Sequence, residues 1–199
     1  MPSLEPVPWS AVFPNDHPVE VEIGPGRGEM LLAAAAASPA VNFFAIERAP
    51  RAADDITRLA ARRALANVRV IAADARCVVA RLVQEGSVSA YHIYFPDPWP
   101  KRRHARRRLM EADFPAALAR TLVPGGTLHL ATDLRPLLES FAHRLVAAGL
   151  ASVPGSTPPP SRPTTAFERK YARAGTHYLR FRRSSGGSKG GSGSLAADC

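Results

Sequence analysis

Val19-Glu20-Val21-Glu22-Ile23-Gly24-Pro25-Gly26-Arg27-Gly28 is the stretch on which the fold turns. A β-branched run enters a loop in which every second residue is glycine, and an alanine-rich segment of helical length, 29–37, follows at once. Glycines there let the backbone turn tightly and approach a ligand without a Cβ in the way. Outward from this point the same alternation repeats. Strands are predicted at 19–23, 41–46, 68–72, 90–95 and 127–131, and helices at 29–37, 50–64, 75–84, 109–122 and 136–148. Five strand-then-helix repeats predict an α/β fold with a mostly parallel sheet covered by helices on both faces. Such sheets bind ligands at the carboxyl ends of their strands.

The flanks differ in composition. Residues 1–18 hold five prolines and read as an extended N-terminal arm, with no apolar run of the kind a leader peptide needs. The ordered domain is predicted over 19–183. Within it, 151–163 (ASVPGSTPPPSRP) reads as a loop and 164–183 (TTAFERKYARAGTHYLRFRR) ends in a strand-like run. Residues 184–199 begin as Gly/Ser low complexity and are expected to be disordered. Cys77 sits in an apolar helical stretch and reads as a small core residue, while Cys199 is the last residue. No disulfide framework is indicated, which points to a reducing, cytoplasmic compartment. The alanine run 33–37 is far too short to span a bilayer, so no membrane partner is expected.

Lysine and arginine number 26 against 17 acids, a formal charge of +9. That excess favours an anionic partner such as nucleic acid. Its placement sharpens the point, because six of the eight residues from Lys101 to Arg108 are basic. The run is internal, between a predicted strand and a predicted helix, where an anionic ligand would relieve the mutual repulsion. Arg102, Arg103, Arg106, Arg107 and Arg108 are candidates for an RNA backbone. A second basic group comprises Arg162, Arg169, Lys170, Arg173, Arg180, Arg182 and Arg183, flanking the same region in sequence.

Four acids follow or end the predicted strands: Glu22, Glu47, Asp74 and Asp97. Glu47 stands about twenty residues beyond the glycine loop, where an acid can accept from ribose hydroxyls. A dinucleotide would bring pyrophosphate, which a carboxylate beside the loop repels, and the Glu-x-Gly-x-Gly-x-Gly spacing departs from the dinucleotide fingerprint. A ligand with an ammonium, a sulfonium and a ribose but no phosphate fits better, and S-adenosylmethionine has those groups. Asp74 alone reads equally well as a helix cap. Asp133, after the fifth strand, either contacts substrate or caps the next helix together with Thr132.

The fourth strand runs into Tyr94-Phe95-Pro96-Asp97-Pro98-Trp99-Pro100-Lys101. Prolines on either side of Asp97 stiffen its backbone. Phe95 and Trp99 can stack on a base and Asp97 can accept from base N–H groups; a turn with Trp99 as a core anchor is the structural alternative.

With these strings, together with Val21-Glu22-Ile23-Gly24-x-Gly26, Ala45-Ile46-Glu47, Asp74-Ala75, Ala131-Thr132-Asp133 and Thr165-Ala166-Phe167-Glu168, the chain resembles the tRNA (guanine-N7)-methyltransferases over roughly residues 9–183. The resemblance implies a Rossmann-like class I methyltransferase fold with a seven-stranded sheet. It implies methyl transfer from S-adenosylmethionine to N7 of guanine at position 46 in the tRNA variable loop. A monomer or homodimer with no metal is expected. By residue, it places Glu22, Gly24, Gly26, Glu47, Asp74 and Asp97 on the cofactor, with Asp97 also catalytic. It places Lys101, Asp133, Thr165, Ala166, Phe167 and Glu168 on the guanine nucleoside. The arm before Trp9 is short compared with many relatives, and such arms are thought to help hold tRNA. Rival assignments are a base methyltransferase acting on an exocyclic amine, whose loop would want a second proline where Trp99 stands, and a non-catalytic RNA-binding subunit of the same fold. A dehydrogenase is disfavoured by Glu22.

Overall fold

The computed structural model describes residues 5–97, 109–110, 113–155 and 175–185. In chain order they form a 3₁₀ turn (Trp9–Ala11), then β1 (Val19–Ile23), α1 (Glu29–Ala37), β2 (Asn42–Glu47), α2 (Pro50–Arg62), β3 (Val68–Ala72), α3 (Ala75–Arg81) and β4 (Val88–Tyr94). After these come α4 (Phe114–Thr121), β5 (Leu122–Thr132), α5 (Arg135–Ala147), β6 (Leu150–Val153) and β7 (His177–Arg183). One seven-stranded sheet results, in the order β3-β2-β1-β4-β5-β7-β6. The first five strands are mutually parallel, and β7 pairs antiparallel with both β5 and β6. The chain reverses direction in the sheet order at β1, whose neighbours are β2 and β4. A crevice therefore opens at the carboxyl ends of these strands.

Strand alternation sorts the core into two layers. Val21, Ile23, Phe44, Ile46, Tyr91, Ile93 and Leu128 pack with residues of α3, α4 and α5. Phe43, Ala45, Val68 and Ala131 pack with α1 and α2 on the opposite face. The central strands are buried nearly throughout, as parallel strands between two helical layers must be. Gly28 precedes α1 with φ 71°, and a Cβ there would stand 2.9 Å from the Ile56 side chain. Only glycine lets α1 start this close to α2. Proline in the first turn starts α2, α4 and α5 without losing a helical hydrogen bond.

Several expectations change in contact with the fold. The segment read as an extended arm packs on the domain over its described part. Phe13 is 1% exposed, the Trp9 indole Nε1 donates to the Ser87 carbonyl at 3.1 Å, and its ring meets Phe44 edge-on at 5.2 Å. Apolar area outweighs proline content there. Cys77 is exposed, not core. Ala75, Val78 and Val79 face the sheet, and at a helical 100° per residue Cys77 falls on the other side. The fourth helix ends and β5 begins at Leu122, five residues before the predicted strand, because Leu122 bridges Val88 ahead of a register shift at Ala90. No helix among the described residues is long and apolar enough to cross a membrane.

Candidate active site

The loops leaving β1 to β4 stay tied to neighbouring strands beyond the strand ends. The Gly24 amide donates to the Ile46 carbonyl at 3.0 Å, Ala73 to Glu47 at 2.9 Å and Phe95 to Ala131 at 2.8 Å. Ladder bonds of this kind make the four loops leave at a common level. Between them lies a cleft of about 380 Å³ lined by Gly24, Gly26, Glu47, Asp74 and Asp97, with Arg48, Arg76, Tyr94, Phe95 and Leu109. Five residues singled out from the sequence thus share one cavity. Gly24 and Gly26 take φ 71° and 57°, and an added Cβ at either would meet nothing within 4 Å. Their left-handed backbone requires glycine, and the space above it is open to a ligand.

Glu47 ends β2 and is half-buried. One carboxylate oxygen accepts from the Gly26 amide at 3.2 Å and the other from the Ala49 amide at 2.9 Å. The second strand's acid therefore braces the glycine loop of the first. Asp74 is the N-cap of α3 and accepts from the Arg76 amide at 2.9 Å. The Arg76 guanidinium also reaches it, Nε at 3.1 Å and Nη2 at 2.7 Å. The side-chain bond from Arg76, opposed by burial and aided by the Arg76 amide and charge and by Arg48, holds the Asp74 carboxyl below its ordinary range. The two roles weighed for Asp74 coexist: it caps the helix and lines the cleft.

Asp97 is exposed, three residues past β4. It follows Phe95, whose φ of 49° is unusual for a side chain of that size. Backbone strain of about 1–3 kcal/mol at a cleft residue persists only where its surroundings fix it. Glu22 lies inside β1, 4% exposed, in register with Ala45 and His92, and is not among the residues lining the cleft. The strand is covered on both faces, so Glu22 is buried two residues before Gly24, beneath the glycine loop. Asp133 is half-buried next to β5 and is not among the lining residues either. The N-cap of the next helix is Leu134, with no side-chain capping bond, so neither of the pair read as a cap takes that place; the Thr132 hydroxyl accepts from the Leu134 amide at 3.2 Å in the turn before the helix.

The second basic group divides. Antiparallel β7 starts beside Thr132 at the cleft edge and ends beside Thr127 at the far edge. Arg182 and Arg183 are thus carried away from the cleft. Arg182 Nε donates to the Gly125 carbonyl at 3.3 Å, and Arg183 donates to the carbonyls of Arg120 and Leu122. Their cations satisfy backbone oxygens of β5 and the end of α4. Trp99, Lys101, Arg102, Arg103, Arg106, Arg107, Arg108, Arg162, Thr165, Ala166, Phe167, Glu168, Arg169, Lys170 and Arg173 lie outside the described residues.

Two features of the site escaped the sequence. Arg76 was legible as a cation two residues past a capping acid. The other is a polar group on one sheet face, with His92 Nε2 2.7 Å from Glu20 Oε2 and His92 Nδ1 2.9 Å from the Tyr94 hydroxyl. The His129 ring stacks on His92 at 5.1 Å. No motif marks these residues, since only strand register brings them together.

Known proteins match most of this arrangement. Residues 16–181 match the family described as "Putative methyltransferase". A "tRNA (guanine-N(7)-)-methyltransferase" of Geobacter metallireducens is 41% identical over 128 residues, 64% of this chain and 61% of that protein. One of the same name from Cupriavidus pinatubonensis is 38% identical over 181 residues, 85% of this chain and 69% of that protein. The chain thus spans about two thirds of the length of these relatives. Among solved structures, the 16S rRNA methyltransferase KamB superposes with a TM-score of 0.64 at 17% identity, covering 88% of this chain and 92% of that one. A 16S rRNA (adenine(1408)-N(1))-methyltransferase variant from Catenulisporales acidiphilia, solved with its cosubstrate SAM, gives 0.59 at 20% identity, covering 88% and 90%. At such identities these two speak to the fold.

Proposed function

Because the chain belongs to the methyltransferase family that includes the tRNA (guanine-N(7)-)-methyltransferases, we propose that it methylates N7 of guanine 46 in the tRNA variable loop, using S-adenosylmethionine. The observation that carries this reading is the gathering of Gly24, Gly26, Glu47, Asp74 and Asp97 around one cleft. The donor set suits a phosphate-free, cationic cofactor. Its acids face the cavity, and the Gly26 amide is given to Glu47, not offered to a phosphate. S-adenosylmethionine, when bound, supplies an electrophilic methyl group.

The residues of this chain divide the remaining work. Glu47 keeps acceptor capacity for ribose hydroxyls while bracing the loop, and Asp74 is held ionised to accept from an adenine amino group. Glu22, buried under the glycine loop, is the acid assigned to the cationic amino-acid end of the cofactor. Guanine N7 carries a lone pair and no proton, so no general base is needed before it is methylated. What the protein supplies is placement and compensation of charge. Asp97 is the catalytic residue: it grips the N–H edge of the guanine and balances the positive charge the purine acquires. Asp133 and the residues Lys101, Thr165, Ala166, Phe167 and Glu168 are assigned to the guanine nucleoside, and Arg102, Arg103, Arg106, Arg107 and Arg108 to the tRNA backbone. The enzyme is placed in the cytoplasm as a monomer or homodimer.

The test is transfer of a tritiated methyl group to bulk tRNA, followed by identification of the modified nucleoside. 7-Methylguanosine in the variable loop is the expected product. Label on an exocyclic amine would move the chain to another base specificity, and no transfer despite cofactor binding would remove the activity.

A further inference from the structure

Ala90, His92 and Tyr94 share one face of β4, and parallel register sets His92 between Glu22 of β1 and His129 of β5. The His92 side chain is 6% exposed and joins two partners across its ring, Glu20 at Nε2 and Tyr94 at Nδ1. Burial pushes the Glu20 carboxyl up, but the His92 hydrogen bond and the charges of His92 and His129 outweigh it and leave the group below its ordinary range. An ionised carboxylate only accepts, so the Nε2–H of His92 donates to Glu20. The other ring nitrogen, Nδ1, pairs with the Tyr94 hydroxyl at 2.9 Å. The result is a linked chain, Glu20–His92–Tyr94, running under the sheet face toward the cleft that Tyr94 lines.

Tyr94 is the last residue of β4. The next residue is Phe95, at φ 49°, and Asp97 stands two further on. A strained turn holds only if its flanks are fixed. On one side the Phe95 amide is fixed by the Ala131 carbonyl at 2.8 Å. We propose that the buried Glu20–His92 pair fixes the other side: it is a positioning relay that locks Tyr94 and thereby sets the Phe95 turn that carries Asp97. The pair touches no reacting atom. It acts on turnover through placement, and the proposal rests on the assignment of Asp97 given above.

Four substitutions in the full chain test it. Tyr94→Phe removes only the hydroxyl. In His92→Gln the amide stands near Nε2 and keeps Glu20, whereas in His92→Asn it stands near Nδ1 and keeps Tyr94. Glu20→Gln removes the far anchor. Tyr94→Phe and His92→Gln are expected to lower kcat about tenfold with the S-adenosylmethionine Kd within twofold of wild type, and Glu20→Gln less, because small misplacements of a reacting group are costly in rate. His92→Asn is expected to retain most of the turnover. A readout independent of methyl transfer is hydrogen exchange at the Phe95 amide. Tyr94→Phe and His92→Gln should accelerate it, leaving the Gly24 amide unchanged. Wild-type kcat and wild-type Phe95 exchange in Tyr94→Phe overturn the relay. Equal losses in His92→Asn and His92→Gln, in proportion to their drop in Tm, also overturn it, since only a structural role predicts that equality. If the wild-type chain transfers no methyl to tRNA, the functional assignment fails, while Phe95 exchange still decides whether the relay holds the turn.

Discussion

The rim over β1 to β3 and the rim over β4 and β5 are held in different ways. At the first, the acids are engaged by nearby backbone before any ligand arrives: Glu47 by the Gly26 and Ala49 amides, Asp74 by Arg76. At the second, Asp97 stands exposed beyond a strained residue, and its support comes from below, through Ala131 and through Tyr94, His92 and Glu20. On the proposed assignment, one half binds and the other aims. Cofactor affinity should therefore follow substitutions on the first rim, and turnover those on the second.

The sharpest way to break that contrast is Asp97→Asn. Loss of a fixed charge at the developing cation is expected to lower single-turnover methyl transfer by roughly 10²–10³-fold, with calorimetric cofactor affinity retained. Equal single-turnover rates would remove Asp97 from the mechanism. Next in size is an acid sensitivity centred under the second rim, on His129. Burial, the charge of His92 and, to a lesser degree, Arg180, against the opposing pull of Glu20, hold His129 down to about 4 from an ordinary 6.5. The folded chain keeps this ring neutral while the unfolded chain takes up a proton. Stability is therefore complete above pH 6.5 and drains as the pH falls toward 4, by at most about 3 kcal/mol. Glu20 and Asp74, whose carboxyls are held low, add a second loss only below the ordinary carboxylate range. Urea titrations should show the loss between about pH 7 and pH 5 in wild type and not in His129→Leu; identical slopes would mean the ring titrates normally.

A smaller effect belongs to the first rim. Glu47→Ala is expected to weaken S-adenosylmethionine by roughly 10–100-fold, the range of one or two lost charge-assisted hydrogen bonds, with turnover at saturating cofactor largely kept. If turnover fell and affinity did not, the division between the rims would be wrong. The smallest effect is expected from Arg182→Ala. Its guanidinium is engaged by the Gly125 carbonyl, near the start of β5 and away from the cleft. tRNA affinity should stay within twofold and the steep salt dependence expected from the Lys101–Arg108 run should be unchanged. A salt slope shallower by about one unit would mean a phosphate reaches that edge.

The two rims were not equally legible. The glycine loop, Glu47 and Asp74 are local signals: a turn that needs left-handed backbone, an acid at a strand end, an acid before a helix. The bonds they make span few residues or adjacent strands, so spacing alone places them. Glu22 was read as a pocket acid from its place beside the glycine loop, but β1 is covered on both faces and its side chain is buried within the strand. Cys77 was misplaced for the corresponding reason in a helix, where one position decides which face a residue occupies.

The alternation of strands and helices, the glycine turn and the string around Asp97 were determined by the sequence itself, because each is a property of neighbouring residues. The pairing of Glu20 with His92 across 72 positions and the removal of Arg182 and Arg183 to the far edge were decided only by the tertiary structure. Those outcomes depend on which strands lie side by side and in which direction they run. Strand order and direction are settled by the burial of both sheet faces together, a sum over the whole chain that no local pattern contains.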